Sequence, residues 1–167
     1  MGEEWDVYIH TTNILNSNDR KHWGQTKDIK QALRTLGGAQ ARKLPRFGRV
    51  RMDVEVSYPD GSLPDCANLV PTMKTYLDGM VSPNGRRKKA DGILQDDADK
   101  FLLGPFLTPS YWPSPRPGWY LFHVRLTEIE PWVQPPKPEY LGGGGAPPTE
   151  TRRNVTDTDN TILSSAC

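Results

Sequence analysis

Val50-Arg51-Met52-Asp53-Val54-Glu55-Val56 alternates apolar and charged residues without a break. Successive side chains of a strand point to opposite faces, so this pattern predicts a strand over 48–57 with one buried face and one wet face. Pro59-Asp60-Gly61 follows as a turn signal. The period then changes. Leu69, Met73, Tyr76, Leu77 and Met80 recur at three- and four-residue spacing and predict a helix over 68–80 with one apolar stripe. Asp65 or Asn68 suits the cap of that helix, and Pro71 is tolerated only in its first turn. A half-buried strand followed by an amphipathic helix sets the class as a mixed α/β (α+β) domain.

The flanks extend this unit. Trp5, Val7 and Ile9 alternate with polar residues and predict a strand near 5–10. Residues 11–24 are polar and rich in turn formers. Ile29, Ala32, Leu33 and Leu36 predict another helix, with Gly37-Gly38 as its end or an interruption. Phe101 to Leu107 is a candidate strand broken at Gly104-Pro105, and residues 109–118 hold four prolines and read as a loop. Trp119 to Ile129 has apolar residues on both faces, the mark of a central strand. The expectation is a small mixed sheet with two main helices over residues 1–130. Residues 131–167 are Pro/Gly-rich, with Gly142 to Gly145 in a row, and are expected to form a disordered tail.

The 167 residues carry 21 Lys and Arg against 20 Asp and Glu, so net charge does not announce a polyanionic partner. The distribution is uneven. Nine basic and five acidic residues lie in positions 1–50, and Arg86-Arg87-Lys88-Lys89 forms a second basic run. The two cysteines, Cys66 and Cys167, give neither a disulfide framework nor a CxxC metal spacing. His10, His22 and His123 are too scattered for a zinc site. The acidic start MGEEWDVYIH is not a secretory signal, and no stretch has the apolar length of a membrane span. A cytoplasmic protein is expected.

Acidic residues gather at two places, Asp65 before the second helix and Asp96-Asp97 with Asp99 after a loop. Carboxylates converging from separate segments are what Mg²⁺-assisted phosphodiester hydrolysis requires, because the metal prefers oxygen and keeps several waters. The same residues also suit a helix cap and a solvated turn. Lys74 stands four residues before Asp78, a spacing that also makes a surface ion pair.

Pro64-Asp65-Cys66-Ala67-Asn68, Pro71-Thr72, Lys74, Leu77-Asp78-Gly79 and Gly92-Ile93-Leu94-Gln95-Asp96-Asp97 occur in an order that resembles the signature of RusA-like Holliday-junction resolvases. Asn18-Asp19-Arg20-Lys21-His22-Trp23 resembles the actinobacterial and actinophage branch of that family. The likeness runs roughly from Trp5 to Ile129. It implies a RusA-like fold, a homodimer and Mg²⁺-dependent cleavage of four-way DNA junctions in recombination and repair, with Mn²⁺ as a substitute metal. It also implies Asp65 and Asp97 as metal ligands, Asp96 beside them, Lys74 as the essential lysine and Asn68 as a supporting residue. The chain departs from the family pattern at Ala67, where a second Asp is usual, and by three extra residues before Lys74. Asp78 and Asp99 are the candidates for a third ligand. One continuous helix over 67–78 would place Asp78 ~16 Å from Ala67, too far to share its position unless the helix starts late.

Arg20, Lys21, His22 and Arg86 to Lys89 are candidate contacts to the DNA backbone, with solvated loops as the alternative. Trp23 and Trp112 suit stacking on unpaired bases, although packing within the core or a loop is the commoner use of such residues. Cys66 is expected to be packed rather than reactive. Two other functions stand beside the resolvase: a non-catalytic branched-DNA-binding protein, favoured by Ala67, and a less selective structure-dependent nuclease.

Overall fold

The computed structural model describes residues 2–18, 22–61, 65–81 and 92–136. The chain divides into two compact units, Met1–Val133 and Gln134–Cys167. The expected tail falls almost wholly in the second, and its residues 137–167 lie outside the described residues.

The first unit is a four-stranded mixed sheet with two helices, an α+β fold. Its elements are β1 (Gly2–His10), α1 (Trp23–Ala41), β2 (Val50–Ser57), α2 (Val70–Val81), β3 (Leu102–Pro109) and β4 (Trp119–Glu128). The strand order is β1-β4-β2-β3. β4 is antiparallel to both neighbours, so a strand apolar on both faces does take a central place. β2 and β3 run parallel, and the connection between them contains α2. Two parallel neighbours need such a crossover, because a tight hairpin cannot reverse the chain twice.

The alternation in β2 sets the layers. Val50, Met52, Val54 and Val56 are buried, as are Phe122, Val124 and Leu126 of β4. They share one cluster with Ile29 and Leu33 of α1 and with Met73, Tyr76, Leu77 and Met80 of α2. The opposite face of the sheet is polar. Arg125 pairs in register with both Glu4 and Asp53, and its Nε donates to Glu4 at 3.2 Å. Arg51 grips Asp53 through both oxygens at 2.8–3.0 Å, which holds that carboxyl below its ordinary range.

Four expectations are corrected. Helix α1 does not stop at Gly37-Gly38. Gly37 lies where α2 crosses, and a Cβ there would sit 2.0 Å from the Tyr76 carbonyl oxygen. The pair thus marks close packing rather than a helix end. The second helix opens with a 3₁₀ turn, Cys66–Leu69, before α2 proper, and Pro71 falls in the first α turn, where its missing N–H costs nothing. β3 continues through Gly104 and Pro105, because an edge strand tolerates a missing donor. The polar stretch 11–24 hides two core residues, Ile14 and Leu15. Leu15 is fixed by Thr72, whose hydroxyl accepts from the Leu15 N–H at 2.8 Å and donates to the Leu15 carbonyl at 2.9 Å.

Among the described residues, no helix is long and apolar enough to cross a membrane.

Candidate functional site

The candidate residues fall at the two ends of α2. Asp65 lies at the start, after the Tyr58–Gly61 turn, where Gly61 takes a positive φ of 70° and its N–H donates to the Tyr58 carbonyl at 3.3 Å. Asp65 caps the 3₁₀ turn, its Oδ1 accepting from the Ala67 N–H at 2.9 Å. The Asn68 carbonyl in the same turn accepts from the Ser17 N–H at 3.0 Å, so the segment leading to the first basic residues is tied beside Asp65. Cys66 is half-buried and its thiol donates to the Leu107 carbonyl at 3.2 Å. Burial, and then the Asp65 charge, push that thiol up, in keeping with a packed cysteine.

Asp78, Asp96 and Asp97 gather at the other end. The Ile93 N–H donates to the Met80 carbonyl at 3.2 Å, and the Ile93 carbonyl accepts from the Phe47 N–H at 2.8 Å. These bonds clamp the buried Ile93-Leu94 pair and deliver Asp96-Asp97 beside the close of α2. Asp96 Oδ1 accepts from the Asp97 N–H at 2.8 Å. The Asp97 carboxyl is pushed up by burial first, then by its hydrogen bond with Asp96 and the charges of Asp96 and Asp78. Asp78 is paired with Arg34 of α1 at 3.3 Å rather than with Lys74. Lys74 is exposed midway along α2 and makes no ion pair among the described residues. Asp99 is exposed just beyond the pair.

The span from Asp65 to Asp78 is about 20 Å, from ~2.0 Å per residue in the 3₁₀ turn and ~1.5 Å per residue in α2. The α-helix starts at Val70, later than expected, yet the 3₁₀ turn before it keeps these ends apart. The carboxylates acting on Asp97 are Asp96 and Asp78, whereas the Asp65 charge acts on Tyr58 and Cys66. Among the described residues, no three His, Cys, Asp or Glu side chains are placed to share a metal ion. The Asp96-Asp97 pair nonetheless suits Mg²⁺ in its chemistry. Its donors are all oxygen, and a cation would offset the burial and the neighbouring charge that raise Asp97.

Of the basic candidates, His22 caps α1, its Nδ1 accepting from the Gly24 N–H at 3.4 Å. Arg20, Lys21 and Arg86 to Lys89 lie outside the described residues. The aromatic candidates are not core. Trp23 is 72% exposed and Trp112 77%. Tyr111, beside Trp112 and 88% exposed, was not singled out by its sequence setting, since a loop of four prolines hides which rings face out.

No protein-family model matches the chain, and no curated protein matches it either.

Proposed function

We propose that the chain is a Mg²⁺-dependent endodeoxyribonuclease that cuts branched DNA, four-way junctions foremost, as a homodimer in the cytoplasm. The observation that supports this best is the state of Asp97. Asp97 is exposed on a segment held by Ile93, next to Asp96. Its carboxyl is pushed up by burial first, then by Asp96 and last by the charge of Asp78 on α2, and a cation is the natural partner for such a pair. The order of Asp65, Asn68, Lys74, Asp78 and Asp96-Asp97 along one strand–helix–strand crossover adds the family likeness to that chemistry.

Asp97 and Asp96 would hold the metal. When bound, Mg²⁺ supplies charge neutralisation at the phosphate and a more acidic water. Lys74, with no ion pair among the described residues, offers its ammonium to a phosphate oxygen. Asp65 has Oδ1 committed to its turn, which fixes the carboxylate and leaves Oδ2 for a ligand. Two equivalent sites in a symmetric dimer suit the paired cuts that a four-way junction needs.

The separation of Asp65 from Asp97, together with Ala67, favours a second reading, a branched-DNA-binding protein without cleavage. Incubating a labelled four-way junction with the chain and Mg²⁺ separates the two. Cleavage lost in Asp97→Asn and in Asp65→Asn, with folding retained, supports the nuclease. Binding without Mg²⁺-dependent cleavage at any enzyme concentration establishes the other reading, and equal cutting of linear duplex points to a less selective nuclease.

A further inference from the structure

The loop between β3 and β4 is built to hold two aromatic rings in solvent. The Ser110 N–H donates to the Val56 carbonyl at 2.8 Å and the Ser114 N–H to the Tyr58 carbonyl at 2.9 Å. The Ser114 hydroxyl accepts from the Arg116 N–H at 3.4 Å, and the Thr11 N–H donates to the Gly118 carbonyl at 3.0 Å. Pro109, Pro113, Pro115 and Pro117 restrict the backbone further. A loop tied at both ends and in the middle has little freedom to turn its rings inward. Tyr111 and Trp112 are accordingly the most exposed large aromatics among the described residues, at 88% and 77%.

A cation accompanies them. Arg116 lies over the Tyr8 ring, 3.9 Å from its centroid, and has no acidic partner among the described residues. The loop also shares an end of the sheet with Asp65. Ser114 bonds to Tyr58, and the Tyr58 phenol feels the Asp65 charge.

We propose that Tyr111 and Trp112 form a stacking platform for unpaired bases of a DNA strand, with the Arg116 guanidinium receiving a phosphate of the same strand. Every base has a π-face, so two rings bind unpaired nucleotides without reading their sequence. An apolar protein groove would cover the rings but strip water from a guanidinium that has no acidic partner among the described residues. A nucleotide supplies ring and phosphate together. This inference rests on the reading of the chain as a branched-DNA protein and adds the part of the branch it grips, the opened strand beside the junction.

The test is fluorescence anisotropy of the full chain, with chelator present, on a gapped duplex carrying unpaired bases and on the fully paired duplex. The parent is expected to prefer the gapped DNA. Tyr111→Ala/Trp112→Ala is expected to lose about ten-fold or more of affinity for it, and Trp112→Phe to recover much of that loss. Circular dichroism checks that the double variant is folded, which its exposed positions favour. A double variant that binds gapped DNA as tightly as the parent overturns the inference, as does a parent indifferent to unpaired bases. The nuclease reading fails separately. Ring-dependent binding by a chain that never cuts junctions with Mg²⁺ would remove the nuclease and keep the platform. Mg²⁺-dependent cutting unaffected by the double variant would do the reverse.

Discussion

Asp78 is engaged by Arg34 at 3.3 Å and stands near Asp97, whose carboxyl is pushed up by burial first, then by Asp96 and last by the Asp78 charge. The negative charge of Asp97 is therefore less favourable in the folded chain than in the unfolded one. The sign follows by linkage. A carboxyl raised on folding favours the native state most where it is protonated, below the ordinary carboxylate pKa, and that advantage is lost as pH rises through the folded value. With chelator present, Asp97→Asn should melt at a higher temperature than the parent at pH 7, the gap closing toward pH 3. Added Mg²⁺ should raise the melting temperature of the parent and not of the variant. Calorimetry across pH checks both, and an Asp97→Asn variant less stable at pH 7 would contradict them.

Gly79 meets α1 as Gly37 meets α2. A Cβ on Gly79 would lie 2.1 Å from the Arg34 carbonyl oxygen and 2.7 Å from the Arg34 Cα. Both atoms are backbone, so the helices themselves must part. Gly79→Ala should cost about 3 kcal/mol in urea unfolding, at the upper end of overpacking effects, and should loosen the Arg34–Asp78 pair beside it. Gly48→Ala, with nothing within 4 Å of its Cβ, should stay within about 0.5 kcal/mol of the parent.

Thr72 is fully buried and satisfies both backbone groups of Leu15. Thr72→Val keeps the shape and strands a buried N–H and a buried carbonyl. The expected loss is about 2–6 kcal/mol, from about 1–3 kcal/mol for each of the two unsatisfied groups. Thr72→Ser keeps the hydroxyl and should recover most of it. Amide exchange at Leu15 should speed up in Thr72→Val alone.

Tyr58 is pushed up to about 12 by burial first, then by the charges of Cys66, Tyr120 and Asp65. Its folded value exceeds the ordinary phenol value of 10.0. Stability from this group is therefore complete below pH 10 and lost as pH rises through about 12. Absorbance titration of the six tyrosines should show a late step near pH 12 that disappears in Tyr58→Phe.

Much of the fold was legible because its buried face is written in period two and its helices in period three to four. Val50 to Val56 and the Leu69–Met80 stripe each announce their element. Other features depend on partners distant in sequence. Gly37 looks like a helix end until Tyr76 is seen against it. Ile14 and Leu15 look like loop residues until Thr72, 57 positions from Leu15, takes the backbone bonds of Leu15. The carboxylate positions were visible, but their grouping was not. Adjacency in a motif suggests convergence, whereas the length of α2 holds Asp65 away from Asp97 and brings Asp78 to it instead. Tyr111 escaped notice because exposure of a loop ring is set by the ties at Ser110 and Ser114, not by a period.

The two outer strands of the sheet differ in what they offer a neighbour. β3 carries Pro105 and Pro109, two positions with no N–H to donate, so a strand laid along it would find its ladder interrupted. β1 has its donors, but a second copy laid antiparallel in the register that sets Glu4 opposite Asp6 would bring like charges together. One border is blocked by missing hydrogens and the other by like charge. Such borders discourage the sheet from growing from chain to chain into a fibril.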